Sequence, residues 1–173
     1  SDYDIAIRLK PDYTEAYIDR GNAKYHLKQY SAAILDYDIA IRLKPDDANA
    51  YNNRGNAKGK LAKHFEAIVD YDIAIRLKPN YAGAYYSRGN AKYDLKQYSA
   101  AISDYNIAIR LKPDDADVYY WRGNAKYRMG RALEAKQDFG TALRLSEKTG
   151  DTLLKDAAEK KLRLINTFLI RRK

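Results

Sequence analysis

Apolar and small residues recur along this chain at helical spacing, and the pattern as a whole recurs too. In the stretch that follows residue 13, Ala16, Tyr17, Arg20, Gly21, Lys24 and Leu27 follow one another at intervals of one or three. That spacing puts them on one stripe of a helix. A second stripe follows in Ala33, Ile34, Tyr37, Ala40, Ile41 and Leu43. The link at 28–31 is short, so the two helices are expected to be antiparallel neighbours. Pro45 then stops the second helix, because it cannot extend the hydrogen-bond ladder. Asp46 and Asp47 offer side chains to cap the next helix.

The arrangement returns every 34 residues. Asp-Tyr-Asp-Ile-Ala-Ile-Arg-Leu-Lys-Pro occupies 2–11, 36–45 and 70–79, and 104–113 with Asn106 in place of Asp. Arg-Gly-Asn-Ala-Lys keeps the same beat from Arg20, Arg54, Arg88 and Arg122. A fixed period of this length predicts a stacked array in which neighbours bury what one helix pair cannot. The expected units are 14–47, 48–81, 82–115 and 116–149. Residues 1–13 read as the second helix of a truncated repeat, and the stretch therefore as part of a longer array. The last unit drifts, with Ala132, Phe139 and Glu147 where Tyr30, Tyr37 and Pro45 set the pattern. Residues 150–173 read as a C-terminal capping helix, with Leu153, Leu154, Ala157, Leu162, Ile165, Phe168 and Leu169 as its apolar stripe. Its basic end, Arg171, Arg172 and Lys173, admits a membrane-surface reading as the lesser alternative.

These markers resemble the tetratricopeptide repeat. The family's aromatic falls on Tyr17, Tyr51, Tyr85 and Tyr119, and its Gly on Gly21, Gly55, Gly89 and Gly123. Its Ala positions fall on Ala33, Ala67, Ala101 and Ala135, and on Ala40, Ala74, Ala108 and Ala142. Arg20, Arg54, Arg88 and Arg122 replace the family's Leu, and Lys24, Lys58, Lys92 and Lys126 its Tyr. The resemblance implies an all-α, right-handed superhelical solenoid of antiparallel helix pairs. It also implies a concave face, lined by each first helix, that holds a peptide or a partner's helix.

A charge on a core stripe is costly unless paired. Each unit supplies a candidate partner for its Arg in Asp36, Asp70, Asp104 or Asp138, with Asp2 in the leading fragment, so an Arg–Asp ladder is expected. Opposite the core stripe, Asn22, Asn56, Asn90 and Asn124 form a second ladder, joined by Asn53. An Asn offers both a donor and an acceptor to a peptide backbone, although it can equally serve a neighbouring helix. Tyr86, Tyr93, Tyr120, Trp121 and Tyr127 add aromatic anchors toward the C-terminal half.

The chain carries a net charge of +9. Among the groove residues, Lys60 and Arg128 are positive while Glu15, Asp19, Asp94 and Asp117 are negative. A nucleic-acid groove needs a basic track, and this one has none. The partner is therefore expected to be another protein, through a neutral or basic segment. Self-association at the open N-terminal end and nucleic-acid binding through the basic outer surface are the alternatives. Binding of acidic chaperone tails is disfavoured, because Ile18, Gly83 and Ser87 stand where the family's clamp has basic residues. The absence of cysteine excludes disulfides and thiol chemistry. His26 and His64 are too isolated for a triad or a metal site, so no catalysis, cofactor or metal is expected. No apolar run is long enough to span a membrane.

Overall fold

The computed structural model describes residues 2–170. The side chain of Phe168 and the whole of Arg171, Arg172 and Lys173 lie outside the described residues. Ten helices and no strand occur among the described residues: α1 (Asp2–Leu9), α2 (Thr14–His26), α3 (Tyr30–Leu43), α4 (Ala48–Lys60), α5 (His64–Leu77), α6 (Ala82–Asp94), α7 (Tyr98–Leu111), α8 (Ala116–Arg128), α9 (Ala132–Thr149) and α10 (Thr152–Ile170). The chain forms two compact units, which meet in sequence between Ala91 and Lys92.

In unit 1, α2 packs on α3, α3 on α4, and α4 on α5. Every core layer takes residues from consecutive repeats. Ala33 and Tyr37 of α3 meet Ala57 of α4, and Ala67 and Tyr71 of α5 meet Ala91 of α6. Tyr17, Ala40 and Ala50 form a similar layer with Ile7, Ile18, Ile39 and Ile41 packed around it. Alanine lets the helices approach, and the tyrosine ring fills the space left. Within a repeat the approach is closer still. A Cβ on Gly21 would lie 2.6 Å from Tyr37 Cε1, and one on Gly55 would lie 2.7 Å from Tyr71 Cε1.

The turn between paired helices is the same each time. Lys28, Ala62 and Lys96 adopt φ near +60°, and Gly130 takes the equivalent place at +78°. In the first turn the Lys28 amide donates to the Tyr25 carbonyl and the Gln29 amide to that of Lys24, both at 2.9 Å. This double closure satisfies carbonyls that the end of α2 would leave unpaired. Before α4, Asp47 is the residue that caps: its Oδ1 accepts from the amides of Asn49 and Ala50 at 2.9 and 3.3 Å.

Unit 2 stacks α7 on α8, α8 on α9 and α9 on α10. With Glu147 in place of proline, α9 runs on to Thr149 before Gly150, at φ +75°, ends it. The Leu154 amide then donates to Asp151 Oδ1 at 3.0 Å as α10 begins. Ala132, Ala135, Phe139 and Ile165 form the core here, with Leu162 and Leu169 against it.

Three expected core positions are corrected. Leu27 is 68% exposed, because α2 has already ended at His26 and the stripe does not continue through the turn. Leu43, at the last position of α3, is also exposed. Leu153 is 84% exposed, because α10 buries the face that carries Ala158 and Ile165. Residue Ala158 was not anticipated.

Candidate partner-binding site

The charged residues on the core stripe bind the helices together. In unit 1, Arg20 Nε and Nη2 donate to the two carboxylate oxygens of Asp36 at 3.0 and 2.6 Å. Lys24 Nζ reaches the same carboxylate at 2.7 Å. The remaining arm, Arg20 Nη1, donates to Asp4 Oδ1 on α1 at 2.7 Å. The partner from the leading helix is thus Asp4 rather than Asp2, because Asp4 lies half a turn further along α1. Arg54 repeats the set with Asp70 and, at 2.6 Å, Asp38, while Lys58 joins Asp70 at 2.8 Å. Arg88 holds Asp72 at 2.6 Å.

In unit 2, Lys92 meets Asp104 at 2.8 Å. Arg122 and Lys126 share Asp138, and Arg122 Nη1 donates to Asn106 Oδ1 at 2.7 Å. A neutral amide oxygen can also accept that N–H, so the departure at Asn106 keeps the bond but loses the ion pair. Arg20, Arg54, Arg88 and Arg122 also lie 5.4–5.5 Å over Tyr17, Tyr51, Tyr85 and Tyr119. The hydrogen bonds that Arg20 donates to Asp36 push its pKa up, which keeps its charge fixed. Sequence reasoning missed the lysines. Their signal was the i, i+4 spacing from each Arg, one turn apart on the face that meets the Asp.

On unit 1's opposite face, Asn22, Tyr25, His26, Tyr37, Asn53 and Asn56 line a recess of about 140 Å³. The Tyr37 hydroxyl donates to Asn22 Oδ1 at 2.8 Å, and Asn53 Nδ2 donates to the same oxygen at 3.0 Å. Tyr71 donates to Asn56 Oδ1 at 2.9 Å. The acceptor half of these amides is therefore taken, which corrects the expectation that each presents both halves to a ligand. Among the described residues nothing engages the Nδ2 atoms of Asn22 and Asn56. Burial pushes the Tyr37 and Tyr71 phenols up, with smaller contributions from Tyr25 and the neighbouring aspartates, so both stay protonated donors. Asn90 and Tyr86 lie half-buried on α6 in the same unit.

In unit 2 the pattern changes because Phe139 has no hydroxyl. Asn124 is only 5% exposed, and its Nδ2 donates to the Tyr120 carbonyl of its own helix at 3.0 Å. The line of half-buried asparagines along the first helices is thus broken at this position. Tyr120 and Tyr127 pack against the core, Tyr120 edge-on to Phe139 at 5.5 Å, and are walls more than free anchors. Tyr93 and Trp121 are half-buried and meet edge-to-face at 5.4 Å, and Tyr93 meets Tyr98 at 5.3 Å.

Among the described residues no group of three or more His, Cys, Asp or Glu side chains could hold a metal ion. No described helix is long and apolar enough to cross a membrane.

A sequence profile described as TPR repeat matches residues 21–61, 63–96 and 89–130, and one described as tetratricopeptide repeat matches 116–149. The chain belongs to the tetratricopeptide repeat family. The crystal structure of MamA is 27% identical, with a TM-score of 0.78, over 86% of this chain and 87% of that one. YrrB, whose structure is titled a TPR protein with an unusual peptide-binding site, is 20% identical with a TM-score of 0.77, over 100% of this chain and 86% of that one. At that identity the likeness concerns the fold. The first TPR of Spaghetti (RPAP3), solved bound to the HSP90 peptide SRMEEVD, is 26% identical with a TM-score of 0.62, over 69% of this chain and 92% of that one. No curated protein sequence matches at a significant level. As a TPR chain, this one carries helix pairs held together by an Arg–Asp–Lys cluster.

Proposed function

We propose that this TPR chain is a protein-interaction scaffold whose first-helix faces hold an extended segment of a partner. The observation that carries the reading is the fixed orientation of Asn22 and Asn56. With each Oδ1 held by a buried tyrosine, the Nδ2 groups are left as donors beside the recess. Two preset donors, one repeat apart, suit the carbonyls of an extended peptide backbone, whatever its side chains. The exposed Glu15 and Asp19 on the same helix favour a neutral or basic segment at this unit. Spaghetti, a relative of the same fold, is solved with a bound peptide, which is consistent with this use of the face.

The test isolates the donors. Asn22→Asp and Asn56→Asp keep an acceptor for Tyr37 and Tyr71 but replace both NH₂ groups. Peptides selected on the wild-type chain from a random library are then titrated against the double variant. About tenfold weaker binding or more is expected, the loss of roughly one hydrogen bond to a buried carbonyl. Unchanged affinity with an intact helical spectrum would reject the reading.

A further inference from the structure

Three of the four repeats place a tyrosine one turn after the groove asparagine: Tyr25 after Asn22, Tyr93 after Asn90 and Tyr127 after Asn124. In unit 1, Tyr25 packs with Tyr30 and Ile34 on the layer of Ala33, Tyr37 and Ala57, and its ring meets that of Tyr30 edge-on at 5.3 Å. Within unit 2, Tyr93 meets Tyr98 in the same way at 5.3 Å, and Tyr127 packs on the layer of Ala132, Ala135 and Phe139. The second repeat breaks the pattern. Gly59 follows Asn56, and His64 begins α5 where Tyr30 begins α3. The layer there, Ala67, Tyr71 and Ala91, keeps Ile68 in the place of Ile34 but has no ring from position 59 to cover it.

Neither backbone conformation nor crowding requires this glycine. Gly59 lies within α4 and does not take a positive φ. A Cβ there would meet only the Tyr71 hydroxyl, at 3.7 Å. Gly21, Gly55 and Gly123 differ, because the nearest ring atom is 2.6, 2.7 and 3.0 Å from where their Cβ would stand. Glycine also weakens a helix relative to alanine. What Gly59 provides is space.

That space opens onto the groove. Asn56 lines the recess with Tyr25 and Asn53, and Gly59 follows on the same face of α4. The Tyr71 hydroxyl that borders the space also donates to Asn56 Oδ1, so the asparagine and the space adjoin. Asn56 and Gly59 are about 4.5 Å apart along the helix axis, against a step of about 3.3 Å per residue in an extended chain. A peptide whose carbonyl accepts from Asn56 Nδ2 therefore brings that residue's side chain, or the next one's, over Gly59.

We infer that Gly59 leaves an aromatic slot in the groove of unit 1, which a Phe or Tyr ring of the bound segment fills as Tyr25 fills the equivalent place from within. This rests on the groove reading above and adds a side-chain preference to it. The chain itself shows the occupant, since a phenol ring covers the equivalent layer in the first and last repeats. His64 keeps an aromatic ring at the position of Tyr30, where an incoming ring can meet it edge-on.

The test selects random nonapeptides on the full chain. A selected peptide, and its version with Ala for the aromatic residue, are then titrated against wild type, Gly59→Tyr and Asn22→Asp/Asn56→Asp. Gly59→Tyr fills the slot with the residue found at 25, 93 and 127, and is expected to raise the thermal midpoint. The wild-type pool is expected to carry Phe or Tyr at one fixed position. Such a peptide is expected to bind Gly59→Tyr about tenfold more weakly, and its Ala version to bind both chains alike. A pool without aromatic preference that still depends on the asparagines would overturn the inference and leave the groove reading intact. So would an aromatic peptide that binds Gly59→Tyr undiminished but is weakened by the asparagine variant. An aromatic peptide weakened by Gly59→Tyr but indifferent to the asparagine variant would keep the slot and overturn the asparagine reading. A lowered thermal midpoint in Gly59→Tyr would mean that the space takes no ring and would overturn the inference. Selection of no peptide would overturn both.

Discussion

The Tyr71 hydroxyl donates to Asn56 Oδ1 at 2.9 Å, and through that one bond a core residue fixes a groove residue. Tyr37 does the same for Asn22. Replacing Tyr71 by Phe, the residue that stands naturally at 139, removes the bond without opening a cavity. About 1 kcal/mol of stability should be lost, and Asn56 becomes free to turn. Urea midpoints measure the first effect and peptide affinity the second.

The same phenols make the fold sensitive to alkali. Burial raises the pKa of Tyr37 and Tyr71 in the folded chain above the ordinary tyrosine value of about 10. Their contribution is fully present below about pH 10 and is lost as pH rises beyond it, because the unfolded chain then releases protons that the folded one retains. Denaturation midpoints should fall from about pH 10 upward in the wild type. The fall should be shallower in Tyr37→Phe/Tyr71→Phe.

Asp70 is 1% exposed and pairs with both Arg54 and Lys58. Asp70→Ala leaves Lys58 without a partner and Arg54 with Asp38 alone, and should cost about 3 kcal/mol. Lys58→Met leaves the bidentate Arg54 pair in place and should cost clearly less. Equal losses in thermal or urea melts would mean that the lysine, not the arginine, carries the cluster.

Gly55 lies against the buried ring of Tyr71. Gly55→Ala puts a methyl 2.7 Å from Tyr71 Cε1 and should cost about 1–3 kcal/mol through overpacking. Gly59→Ala, whose Cβ would meet only the Tyr71 hydroxyl at 3.7 Å, is the control and should be neutral or stabilising.

Ala62 sits at φ +58° with no side-chain hydrogen bond to compensate. Ala62→Gly should stabilise by about 0.5–1 kcal/mol, and Gly130→Ala should destabilise by a similar amount. Opposite signs in the two melts would confirm that the repeated turn, and not its sequence, dictates the conformation.

Much of the architecture was legible in the chain. The period of 34 residues, the prolines and the Ala–Tyr–Gly markers are local signals, and the helices start on that beat at Thr14, Ala48, Ala82 and Ala116. The turns were less legible, because Lys28, Ala62 and Lys96 hold a left-handed conformation without the glycine that would announce it. The lysines of the ion cluster stood on the core stripe without an assigned partner, since their i, i+4 spacing from each Arg does not by itself say which carboxylate they share.

The repeat itself, the pairing of helices and the small residues at their contacts were determined by the sequence alone, because each follows from periodicity and side-chain volume. The tertiary structure decided which half of an asparagine faces outward and that Asn124 withdraws where Phe139 lacks a hydroxyl. Those outcomes depend on hydrogen bonds from helices that lie one or more turns of the repeat apart. No local pattern records such distances, and packing alone sets them.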